Sequence, residues 1–163
     1  MKMKYLALLL VISIFSSCES DRARSAVTES TVVKDSVLRM TANIAADVSN
    51  NGPQAWLRYF ENTPGFFMAN EGELAFRDYP SAKTVILTVV AKKISQVKLK
   101  WSNLRVDPLT DSLAAVGADF HEDQILANKQ RLYIDGYFTG LAHFDGHSWK
   151  LRDLHWSVKP AAK

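Results

Sequence analysis

Cysteine occurs once, at position 18, so the chain can close no internal disulfide and its core must hold by packing alone. Nor is there an apolar run of the roughly 20 residues that a membrane-spanning helix needs; the run from Leu6 to Phe15 is ten residues long. Excess charge is scarce as well. With 20 basic against 17 acidic residues and no arginine-rich run, the sequence lacks the footprint of nucleic-acid binding. It holds no P-loop, no G-x-G-x-x-G and no G-x-S-x-G, and His121 has no H-E-x-x-H context. Nucleotide, serine-hydrolase and zincin chemistry therefore find no support.

What is present begins with MKMKYLALLLVISIFSSC. Lys2 and Lys4, the apolar run and the small residues Ser16 and Ser17 have the layout of a secretory signal. Cys18 directly after them resembles the lipobox of bacterial lipoproteins, with Phe15 standing where Leu is usual. The resemblance implies cleavage before Cys18, acylation of its thiol, and durable anchoring in the bacterial cell envelope, on the periplasmic or cell-surface side. The other reading is an ordinary secretory peptide with an incidental cysteine. Loss of residues 1–17 removes Lys2 and Lys4, leaving 18 basic against 17 acidic residues. Residues 18–30 then form a lipidated Cys and a flexible polar tether, 31–158 one domain, and 159–163 a tail.

Within that domain, Val33, Val37, Met40, Ile44, Ala45 and Val48 recur at helical spacing and predict an amphipathic helix, stopped by Asn50-Asn51-Gly52. Pro53 opens a short second helix, PQAWLRYFE, with Trp56, Tyr59 and Phe60 on one side. Residues 65–69 and 73–76 flank the turn Asn70-Glu71-Gly72 and predict a small hairpin, with Glu71 and Glu73 as exposed turn charges. A third helix is expected over about Ser81 to Ile94, although its β-branched residues also suit a strand. Strands follow at 97–106, 112–120, 132–144 and 147–158. Helices first and an antiparallel sheet afterwards give an α+β domain.

Three of the four histidines, His143, His147 and His155, fall in GLAHFDGHSWKLRDLHWS. Asp145-Gly146 predicts a two-residue hairpin turn pairing Phe144 with His147. After Leu151 the apolar phase slips by one, to Leu154, Trp156 and Val158, which predicts a β-bulge near Arg152-Asp153. With that bulge His155 falls opposite Tyr137, on the polar face. A similar slip separates Val97, Leu99 and Trp101 from Leu104 and Val106. His143 and His147 point to opposite faces, and His155 lies roughly 26 Å farther along at ~3.3 Å per residue. They cannot converge on one ion, so no metal site is expected.

The order of elements, ending in G-x-x-W-K-L-x-x-x-H-W-S, resembles the NTF2-like superfamily, and within it the SnoaL-like and DUF4440-like bacterial domains. The resemblance is carried by Trp56 to Phe60, Asn70-Glu71-Gly72-Glu73, Gly136 to Gly140, Gly146, Trp149 to Leu151 and His155-Trp156-Ser157, over residues 31–158. It implies a cone of three helices on a curved sheet, a pocket inside, and often a homodimer through the sheets. These are signatures of fold more than of an active site, so no catalytic residue carries over.

The acid–base candidates are His155, Tyr137, Asp135, Asp119 and His121. His155 near Tyr137 has the pKa range of a general base; its other reading is a structural or interface residue. Asp119 and His121 share a strand face and suit a carboxylate–imidazole pair, unless H-E-D-Q (121–124) is a solvated strand end. Asp135 shares the face of His155, and its other reading is structural. Trp56, Tyr59, Phe60, Phe67, Phe76 and Trp101 are the candidate pocket lining, with core packing as the other reading. The leading function is a membrane-tethered domain binding a small apolar or amphipathic ligand. The alternatives are a cofactor-independent isomerase, dehydratase or hydrolase using His155, Tyr137 and an Asp, and an envelope protein-interaction module. No cofactor is expected; a homodimer and attachment to membrane through Cys18 are.

Overall fold

A computed structural model of the protein describes residues 30–160. The predicted signal peptide, Cys18 and nearly all of the tether lie outside the described residues. Helix α1 spans 30–51 and buries Val33, Val37, Met40, Thr41, Ile44 and Val48, the apolar stripe its spacing predicts. Gly52, at φ 80°, turns the chain out of the helix. The short second helix is a 3₁₀ segment, Pro53–Arg58, the form favoured for a single tight piece. Tyr59 and Phe60 both donate their N–H to the Trp56 carbonyl as it closes.

The predicted hairpin is present as β1 (Met68–Asn70) and β2 (Glu73–Phe76). The third helix starts two residues before Ser81, at Tyr79, because Asp78 and Ser81 form a reciprocal capping box. It runs as α2 (Tyr79–Val85), a π-helical stretch Ile86–Val90, and α3 (Ala91–Lys93). Four long strands follow: β3 (Ile94–Pro108), β4 (Leu113–Leu126), β5 (Arg131–Phe144) and β6 (Trp149–Val158). They form a six-stranded sheet of order β2-β1-β6-β5-β4-β3. Only the β1–β6 pairing among these is parallel.

Both irregularities are real. Between β5 and β6 the register slips over Thr139/Leu141 against Arg152/His155, with Asp153 at φ 52°. Between β3 and β4 it slips over Ser102/Arg105, with Asn103 at φ 49°. Each extra residue bends its strand, and the sheet wraps around the helices as an α+β cone.

Two expectations are corrected. The β5–β6 connection has four residues, Asp145 to Ser148, and Phe144 pairs with Trp149. The Asp145 carboxylate accepts the N–H groups of His147 (2.9 Å) and Ser148 (2.8 Å), while Asp145 N–H donates to the Ser148 carbonyl at 3.1 Å. This side-chain-capped turn displaces the two-residue one. The shift is even, so faces are kept but partners change: His155 pairs with Thr139, and Tyr137 with Ser157. The second correction concerns 121–124, which is continuous strand rather than a solvated end: β4 stays paired with β3 and β5 beyond it.

Candidate functional site

Along β4 the even-numbered residues Ala114, Val116, Ala118 and Phe120 are buried against the helices. Alternation carries two further side chains, Glu122 and Gln124, onto this inner face. They end in a cavity of about 280 Å³ walled by Trp56, Phe60, Phe76, Ile134 and Trp156, with Ile86 and Val90 of the π-helical stretch on the helical side. Asn70 is the one other polar residue among its lining residues. Gln124 donates its side-chain N–H to Glu122. Burial pushes the Glu122 carboxyl above the ordinary carboxylate range, against the opposing pull of that hydrogen bond and of His121. The cone thus holds a single carboxyl group, primed to carry a proton, on an otherwise mainly apolar wall.

The aromatic candidates divide. Trp56, Phe60 and Phe76 line the cavity. Trp101 packs in the core beside it, its ring 6.2 Å from Trp56 and 5.5 Å from Phe138, with its indole N–H donated to the Thr41 carbonyl at 3.0 Å. Phe67 is exposed. Tyr59 donates its hydroxyl to Asp47, and burial together with that carboxylate pushes its pKa up to about 12. It fastens the 3₁₀ segment to α1 instead of facing a ligand.

The five acid–base candidates all lie on the outer face of the sheet, and none lines the cavity. His121 Nδ1 is 2.8 Å from Asp135 Oδ1 across the β4–β5 pair, so its carboxylate partner is Asp135 and not Asp119. Tyr133 stacks on the imidazole at 6.2 Å between ring centres, and Arg131 lies over Tyr133. Asp119 accepts from Asn103 Nδ2 at 2.7 Å and has Lys159 at 3.6 Å. Tyr137 lies over Gly117. His155 is exposed, between Thr139 and Ala69. Glu71 is structural: its carboxylate accepts the Val158 N–H at 2.7 Å.

A second carboxylate–imidazole contact joins His143 Nδ1 to buried Glu61 at 2.7 Å. The other Glu61 oxygen faces Arg152 at 3.5 Å. With the Glu61 N–H bonded to the Leu151 carbonyl, this cluster ties the chain after the 3₁₀ segment to β5 and β6. Among the described residues no three His, Cys, Asp or Glu side chains are grouped to hold a metal ion.

A cone of this build has counterparts among solved structures. A scytalone dehydratase-like protein from Novosphingobium aromaticivorans DSM 12444 superposes with a TM-score of 0.67 at 14% identity, over 80% of this chain and 86% of that one. An NTF2-like superfamily protein from Salmonella enterica serovar Typhimurium LT2 gives 0.65 at 14%, over 82% and 94%. The fold is NTF2-like. A third counterpart of this NTF2-like cone is the hexachlorocyclohexane dehydrochlorinase LinA-type3 from Novosphingobium barchaimii LL02, at 0.64 and 13%, over 80% and 88%. No protein-family model and no curated protein sequence matches the chain.

Missing from the sequence-based candidates were Glu122, Gln124 and Asn70. The signal for the first two was available: extending the buried alternation of 114–120 by two steps places both inside. Their polarity made that stretch look like the end of the strand.

Proposed function

We propose that the protein binds a small, mainly apolar molecule inside its NTF2-like cone. The observation that carries this is Glu122, a carboxyl group held with Gln124 on the wall of an otherwise greasy cavity. Leaving a polar group in such a place is costly unless something meets it. Trp56 and Trp156 line the same space, so their fluorescence reports on occupancy. Titration with 2-naphthol is expected to give a saturable change that Ile134→Trp, which fills the cavity, abolishes without unfolding the protein. Equal binding by the filled variant sinks the proposal.

Glu122 also supports a second reading, cofactor-independent proton transfer, with the acid–base role moved from the outer-face residues to this carboxyl. A group ionising nearer neutrality suits general acid–base work. Dehydratase and dehydrochlorinase, the names of two structural neighbours, denote eliminations. Deuterium exchange at the carbon next to the carbonyl of 2-cyclohexenone, followed by NMR and lost in Glu122→Gln, tests it. Tethering through Cys18 and pairing of two copies through the outer face, where Tyr133 and Tyr137 are exposed, belong to the same proposal. Metabolic labelling with palmitate in a bacterial host and sedimentation equilibrium test them.

A further inference from the structure

The cavity adjoins a second hollow. Val90, Ile94 and Gln124 line the cone and also an outside groove of about 560 Å³, built with Val89, Leu126 and Leu132. A chain leaving the cone over that rim lands on apolar surface, including Val89, which is 41% exposed. Lys92 and Lys93 flank the same groove. Both are exposed, and neither forms an ion pair among the described residues. The acid nearest along β4, Asp123, is already bound to Arg131, with Nε at 2.7 Å. The two sides of the rim therefore differ: a buried carboxyl group that disfavours a second anion inside, two free ammonium groups outside.

We propose that cone and groove together hold one free single-chain amphiphile with an anionic head, its tail in the cone and its head at Lys92 and Lys93. This rests on the cone being a ligand site. An anion inside would lose its hydration beside Glu122; at the groove it keeps water and gains two cations. The charge pattern thus sets the direction of entry.

The test uses the full chain with dodecanoate, dodecanol and dodecylamine, each below the concentration at which it aggregates, read by calorimetry and tryptophan fluorescence. Dodecanoate is expected to bind about fivefold more tightly than dodecanol, the size of two solvent-exposed ion pairs. The double variant Lys92→Glu, Lys93→Glu, which sets two carboxylates at the head, should reverse that preference, dodecanoate then binding more weakly than dodecanol. Dodecanol binding as well as dodecanoate, dodecylamine binding best, or a double variant that weakens both neutral and anionic probes equally overturns the proposal. So does a chain that fails to bind dodecanoate saturably yet sediments with phosphatidylglycerol vesicles, because the groove is then a membrane contact. If 2-naphthol binds and no dodecyl probe does, the amphiphile fails and the cone reading stands. If nothing binds, both fall.

Discussion

Tyr137 and Phe138 are neighbours in the chain and belong to opposite worlds. Phe138 is 1% exposed and packs on Trp101 and Trp156; Tyr137 is 42% exposed on the outer face. The same division runs along all of β4 and β5. Inside, apolar side chains surround one carboxyl with a perturbed proton affinity. Outside, polar groups are matched in pairs, the His121 imidazole with Asp135 and the Arg131 guanidinium with Asp123. An ionisable group in water is satisfied cheaply and shows little of its chemistry, whereas one taken out of water at a cavity wall has its proton affinity shifted. That is why the face with more titratable residues is the weaker candidate for function.

Truncating a side chain costs very different amounts on the two faces. Phe138→Ala is expected to lower unfolding stability by about 3–5 kcal/mol, and Tyr137→Ala by no more than about 1 kcal/mol, in urea titrations followed by circular dichroism. Equal losses would mean that the outer face is buried in the working assembly. Two glycines repeat the contrast. A methyl group at Gly136 would lie 2.2 Å from the Ser157 carbonyl oxygen and 2.5 Å from the Phe120 ring, so Gly136→Ala should cost roughly 1–3 kcal/mol. At Gly117 the obstacle is the Tyr137 hydroxyl, the end of an exposed side chain that swings aside, and Gly117→Ala should cost less in the same titration.

Glu122 also separates the inner face from the outer one by pH. Its pKa is raised in the folded protein from an ordinary 4.5, so as pH rises the unfolded chain releases this proton first. Stability then falls from about that pH up to the folded value and levels off above it. Glu122→Gln has no such proton, and its stability relative to wild type should climb over the same interval, measured by thermal unfolding between pH 4 and 8. A pH-independent difference would place the carboxyl in water. The smallest effect belongs to the outer pair. Asp135→Asn should change stability by no more than about 0.5 kcal/mol, because both partners are solvated.

Much of the fold was legible in local pattern. The helical stripe of α1, the Asn70–Gly72 turn and both bulges show in spacing or in a slip of alternation, since each is a rule about which face a side chain takes. The Asp145 loop departs from the two-residue turn because a carboxylate capping two N–H groups competes with it, and composition does not say which prevails. Partner assignments moved with it, which is how His155 parted from Tyr137. The candidate site was less legible. Histidines and aspartates drew attention by their type, but type does not say whether a side chain faces water or a cavity. The three aromatics that do not line the cavity, Tyr59, Phe67 and Trp101, show the same limit.

By itself the sequence determined the faces: which side chains turn inward, where the strands bend, and hence the α+β architecture, because periodicity is a local property of the backbone. Only the tertiary structure decided that Glu122 and Gln124 meet Trp56, Trp156 and the π-helical stretch around one space. That space is made by segments spread along the chain from α1 to β6, and the physics that sets Glu122 apart, loss of water around a carboxyl, exists only once they have closed around it.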